Sequence, residues 1–153
     1  MKSAANYTPN LDEFISQCEV NYLLMLKLFP FLNIKSNQEK ASNLNEGFCF
    51  EASAGQQIQF RLIDKAKYTT TFFVKLYPLN DEFRGTMNLM ARVYHDAKLV
   101  EVMDQVGPKA LKPKNKGNAL KAEQTDEKRQ LNRFLGESIK FCLTDCRQMS
   151  LES

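Results

Sequence analysis

The chain has 153 residues, of which 43% are hydrophobic and 25% charged, with 11 Phe, 5 Tyr and no Trp. That is enough for one domain over 1–153 with a core of its own, and the composition excludes a disordered or collagen-like chain. A net charge of +3 is too small to imply a nucleic-acid or membrane partner, and no apolar run approaches the roughly 18 residues that span a bilayer.

The opening MKSAANYTPNLDEF has no apolar stretch like that of a signal peptide, so the expectation is a cytoplasmic protein. Residues 10–29 read as the first helix. Asn10 is a candidate N-cap with Glu13 three residues on, and Pro30 stops the helix. Leu11, Phe14, Ile15, Cys18, Tyr22, Met25, Leu26 and Phe29 repeat at helical spacing. Val20, Leu24 and Leu28 form a second apolar stripe, read as covered. Residues 33–46, NIKSNQEKASNLNE, are a polar connection.

From 47 to 104 the period changes to two. Ile58, Phe60 and Leu62 alternate with Gln57, Gln59 and Arg61; Phe72, Val74 and Leu76 alternate with Thr71, Phe73 and Lys75; Leu89, Ala91 and Val93 alternate with Met90, Arg92 and Tyr94. Such strands predict an antiparallel meander with one face on the core. A four-residue loop DKAK would set Phe60 opposite Thr71. An odd-length loop sets it among Phe72 and Val74 and keeps one face apolar, so that register is preferred.

The next element is ARVYHDAKLVEV, residues 91–102, which holds the only histidine. A turn centred on Asp96–Ala97 sets Val93 opposite Val100, Ala91 opposite Val102, Tyr94 opposite Leu99 and Arg92 opposite Glu101. Opposite charges facing each other across a sheet contribute about 0.2–1 kcal/mol. The hairpin therefore accounts for Arg92 and Glu101 without chemistry, and His95 and Asp96 fall at its tip. Residues 107–124, GPKALKPKNKGNALKAEQ, read as a lysine-rich loop. Thr125 or Asp126 then caps a last helix over 125–147, buried through Leu131, Phe134, Leu135, Ile139, Cys142, Leu143 and Cys146.

The sum is an α+β fold: an antiparallel β-meander of four or five strands with the N- and C-terminal helices on one face. The expected core is Phe14, Cys18, Tyr22, Phe60, Phe72, Val74, Leu89, Val93, Val100, Phe134 and Cys142. Cys18, Cys49, Cys142 and Cys146 read as packed thiols. Cys142 and Cys146 share a helix face, but His95 is the single histidine available to complete a zinc site, so no metal and no cofactor is expected.

YTP at 7–9, CEVN at 18–21, YTT at 68–70, YHDA at 94–97 with VEV at 100–102, and DEKRQLNRFL at 126–135 together resemble the YqiB-like family of proteobacterial proteins of unknown function. The resemblance covers nearly the whole chain and implies bacterial origin and a shared fold, with no catalytic residue carried over. Members have been labelled dehydrogenases. This chain has no GxGxxG opening a helix after a strand, so its residues do not support that label.

Three readings of function stand side by side. The first is a non-catalytic binding or adaptor module using the sheet face away from the helices, where Arg61, Ile63, Phe73, Tyr77, Met90, Arg92 and Tyr94 fall. Its partner would be a protein, a second copy of the chain or an anionic small molecule. The second is a small hydrolase or transferase on an anionic substrate, using His95 and Asp96 with Arg92 or Arg61. The third is a weak, non-specific nucleic-acid binder working through the lysine loop. It lacks the interleaved aromatics that stack bases, so nucleic acid is disfavoured.

Overall fold

The computed structural model describes residues 11–33, 45–76, 87–106 and 118–149, with backbone alone for 104–106 and 118–125. Two helices, α1 (Leu11–Leu28) and α2 (Asn118–Asp145), accompany six strands: β1 (Gly47–Ala52), β2 (Gln57–Lys65), β3 (Thr69–Leu76), β4 (Met87–Tyr94), β5 (Leu99–Val106) and β6 (Cys146–Met149). All neighbours are antiparallel, in the order β5-β4-β3-β2-β1-β6. The α+β meander is as the periodicity indicated, with one strand more.

That strand is the first correction. The last helix stops at Asp145, and Cys146–Met149 returns alongside β1, with Cys146 opposite Ala52 and Met149 opposite Cys49. Continuation of the helix to 147 fails because β1 would otherwise be an unpaired edge, and hydrogen bonding to it outweighs a little more helix. The second correction is at the other end. Helix begins at Asn118, so 118–124 belong to α2 and not to a loop, and Thr125 and Asp126 lie inside the helix instead of capping it. After Gly117 the run NALKAEQT contains no breaker and several strong helix formers. Asn10, most of the polar connection, Tyr77 and 107–117 fall outside the described residues.

α1 ends at Leu28 as Pro30 requires, and Pro30–Leu32 form a 3-10 turn. Its inner face buries Cys18, Asn21, Tyr22 and Met25. The outer stripe is less covered than expected: Val20 is 44% and Leu23 59% exposed, while Leu24 and Leu28 are half-buried.

Both helices share one buried cluster with the sheet. Tyr22 and Met25 from the first, Phe29 just after it, and Leu135, Ile139 and Cys142 from the second meet Phe48, Phe50, Phe60, Phe72, Val74, Leu89, Val93 and Val100. Phe29 is its hub, with its ring 4.9 Å from Phe48, 5.1 Å from Phe60 and stacked on Phe72 at 5.3 Å. Truncating such a residue to alanine costs about 3–5 kcal/mol. Of the expected core, Phe14 and Phe134 are only half-buried, because they sit at the flanks of their helices; the others are buried.

The preferred register holds, by a different device. Ala66 N–H donates to Thr69 O, so the β2–β3 turn is the tight pair Lys67–Tyr68. Alone, that even turn would put Phe60 opposite Lys75. A β-bulge at Ile63 shifts the ladder, so that Asp64 faces Thr71 but Leu62 faces Phe72 and Phe60 faces Val74. One extra residue exchanges the faces of everything beyond it, which is how the apolar set reaches the core.

Candidate functional site

The face of the sheet turned away from the helices carries the sequence-derived binding residues. Arg61 on β2 faces Phe73 on β3, and Phe73 faces Met90 on β4. Arg92 and Tyr94 follow Met90 at two-residue steps, which keeps them on that side. Arg61 is exposed; Ile63, Phe73, Lys75, Met90, Arg92 and Tyr94 are half-buried. Phe72, Val74, Leu89, Ala91 and Val93, which alternate with them, are sealed in the core. Arg61, Phe73, Met90, Arg92 and Tyr94 are thus brought onto one surface. Arg61 Nη1 donates to Asn45 O at 2.9 Å and Arg92 Nε to Thr71 Oγ1 at 3.3 Å.

Arg92 and Glu101 lie directly opposite each other, together with Val93–Val100, Ala91–Val102 and Tyr94–Leu99. The turn spans 95–98, with Lys98 at φ 59 donating its N–H to Tyr94 O. The ion pair expected from that register is diverted. Glu101 reaches over the edge of β5 to Lys128 on α2, with Nζ–Oε2 at 2.7 Å. A flexible lysine on a neighbouring element competes successfully for a half-exposed carboxylate, which sequence spacing alone could not reveal.

His95 does not join this surface. Its Nε2 shares a 2.7 Å hydrogen bond with Thr70 Oγ1, and Thr70 is buried opposite Val93 on the core side. Its backbone N–H donates to Tyr68 O, tying the β4–β5 turn to the β2–β3 turn. Nδ1 is buried without a hydrogen-bond partner. Burial first, then Lys65, lower the imidazole pKa, and Asp96 opposes them. Asp96 is exposed. The three members of the hydrolase reading are therefore dispersed: Arg92 on the open face, His95 against Thr70, Asp96 in solvent.

Cys142 and Cys146 share a thiol hydrogen bond, and burial raises the pKa of each. Cys146 sits on β6 beside β1, and His95 follows β4. Four strand spacings, about 19 Å, separate β4 from β6, so His95 is not brought to the cysteines. Among the described residues no group of three or more His, Cys, Asp or Glu side chains is placed to hold a metal.

Sequence reasoning also missed a polar knot at the β5 edge. Asn132 Oδ1 accepts from Val102 N–H at 2.8 Å, Asn132 O accepts from Asn21 Nδ2 at 3.1 Å, and Asn132 Nδ2 donates to Lys128 O. An asparagine inside the apolar stripe of the last helix was the available signal. A concavity of about 390 Å³ lies between Leu28–Phe31, Glu46–Phe48 and Gln148–Met149.

Residues 31–148 match the family model described as "Protein of unknown function (DUF1249)". The chain belongs to that family. The DUF1249 match runs from the 3-10 turn into β6 and includes Arg61, Phe73, Met90, Arg92 and Tyr94. The chain is also similar to "Uncharacterized protein YqiB" of Escherichia coli K12, at 25% identity over 137 residues, 90% of this chain and 91% of the relative. The same figures hold for the proteins of that name from Escherichia coli O6:H1 and O157:H7. No solved structure matches the chain.

Proposed function

We propose that this member of the DUF1249 family is a non-catalytic binding or adaptor module of the cytoplasm, whose open sheet face receives a protein partner. One observation carries the reading: Arg61, Phe73 and Met90 form a row across three strands, with Arg92 and Tyr94 beside it, on the side that neither α1 nor α2 covers. Aromatic, methionine and arginine side chains are the types enriched at interfaces, and a rigid sheet presents them without an ordering cost. Four free cysteines fit a reducing compartment.

The test is a photo-crosslinking residue placed at Phe73 in the living host, with one at exposed Glu137 of α2 as control. Mass spectrometry should identify a protein adduct from position 73 and not from 137. The double substitution Tyr94→Ala and Arg61→Ala should abolish it while the melting temperature changes little. Equal adducts from both positions, or none from 73, would refute the reading.

A further inference from the structure

His95 holds the tips of two hairpins together. The β2–β3 turn is closed by Ala66 N–H on Thr69 O and the β4–β5 turn by Lys98 N–H on Tyr94 O, so each turn is complete in itself. His95 joins one to the other. Its backbone N–H donates to Tyr68 O at 2.9 Å, extending the β3–β4 ladder one rung beyond Thr69–Tyr94, and its Nε2 meets Thr70 Oγ1 at 2.7 Å. Thr70 is buried, whereas His95 itself is only half-buried.

The site is built for a neutral ring. Whichever nitrogen bears the proton of the neutral imidazole, Nδ1 is buried without a hydrogen-bond partner. Protonation makes that atom an N–H donor carrying positive charge, and a buried charged donor without an acceptor is far costlier than a neutral orphan. Among the described residues, the charges acting on the ring are Lys65, at the end of β2, and Asp96, in its own turn. Lys65 opposes protonation, and Asp96, which favours it, is exposed. From β3 the ring meets the uncharged Thr70 hydroxyl. Lys67, Tyr68 and Lys98, the other titratable groups of the two turns, are exposed.

We infer that His95 is an acid-released latch: once protonated, its side chain leaves Thr70 for solvent, the Tyr68–His95 rung breaks, and the two hairpin tips part while the sheet behind them stays intact. The release is local because the ring sits at the end of the sheet, where a side-chain rotation hydrates both nitrogens. Each turn keeps its own closing bond, and Val93 and Val100 behind it remain sealed in the core. Burial and then Lys65 lower the pKa of the docked ring, so the released ring takes the proton more readily and acid shifts the population towards it. The consequence is a folded state in mild acid with one end of the sheet open, in which the Thr70 hydroxyl and the Tyr68 carbonyl are free.

The test is NMR of the full-length protein, where the single histidine gives an unambiguous ring signal. From pH 7.5 to 5.5, one unit below the ordinary imidazole value, the hydrogen-exchange protection factor of the His95 amide should fall about tenfold. Those of Leu62 and Val102, both buried with bonded amides, should not change. Thr70→Val removes the hydroxyl but keeps the fold; the ring should then titrate near 6.5, with the His95 amide poorly protected at both pH values. His95→Gln should show the same protection at position 95 at both.

A ring that titrates while the His95 amide stays protected would overturn the latch. Equal losses at His95, Leu62 and Val102 would do so too, because the whole fold would be loosening. A pH-dependent loss that persists in His95→Gln would assign the switch to another group. An unchanged ring titration in Thr70→Val would show that the Thr70 contact does not hold the ring.

Discussion

Asn132 Oδ1 accepts the backbone N–H of Val102 at 2.8 Å, so a side chain of α2 occupies one backbone donor of the edge strand β5. Both residues are fully buried, and the Asn132 carbonyl and side-chain amide are engaged as well, by Asn21 and Lys128. An edge strand is a template for unwanted pairing unless something occupies it. Asn132→Leu should destabilise the protein by about 1–3 kcal/mol, the cost of leaving a buried donor unpaired. Urea unfolding measures this, and the Val102 amide should exchange with deuterium much faster. An unchanged unfolding midpoint would mean that the contact contributes nothing.

Gly136 permits the close approach of the two helices. A Cβ there would lie 2.5 Å from Asn21 Oδ1 and 2.7 Å from Gln17 Nε2. Glycine to alanine in a helix ordinarily gains about 0.5–1 kcal/mol. Here overpacking against the buried Asn21, at about 1–3 kcal/mol, outweighs that gain. Gly136→Ala should therefore lower the melting temperature, and by less in a Gln17→Ala background. A stabilised Gly136→Ala protein would contradict this packing.

His95 makes stability depend on pH. Its folded pKa is depressed below the ordinary 6.5 by burial and then by Lys65, so the unfolded chain binds the proton more readily than the fold does. Stability is therefore full above about pH 6.5, falls as pH drops below that value, and levels off once the folded imidazole is protonated. His95→Gln should remove this component of the slope. Melting temperatures of both proteins across the mildly acidic range decide it; parallel curves would refute the assignment.

The cysteines should be slow to react. Burial pushes the Cys18 thiol up to about 12 and raises Cys49, Cys142 and Cys146 as well. Thiolate is the reactive form, so iodoacetamide at neutral pH should label the native protein slowly, with half-buried Cys146 first, and the unfolded chain quickly. Elemental analysis should find no stoichiometric zinc. Rapid native labelling of Cys142, or about one zinc per chain, would overturn the reading of these residues as packed thiols.

The hairpin over 91–102 was legible in sequence because both plausible turns give one register, and apolar alternation selects it. Met90, Arg92 and Tyr94 were likewise assignable to one side, since strand residues two apart share a face, whereas setting Arg61 opposite Phe73 depends on the bulge at Ile63. The partner of Glu101 was not legible. Lys128 lies on an element whose position relative to β5 depends on how α2 packs, and i-to-j spacing carries no trace of that. Nor was the start of α2 at Asn118, since the lysines, prolines and glycines before it mask a helix-forming run.

Sequence by itself determined the kinds of element and their faces: a helix halted before Pro30, strands alternating Phe72, Val74 and Leu76 with Phe73 and Lys75, and a helix buried through Leu135 and Ile139. These follow from local periodicity and from the cost of burying polar groups, which act within a few residues. Only the tertiary structure decided that Cys146–Met149 pairs with β1, that Ile63 bulges to restore the register, and that Asn132 takes the Val102 N–H of β5. Each settles a backbone hydrogen-bonding need between segments distant in the chain, and such a need exists only once the sheet has formed and its edges have to be satisfied.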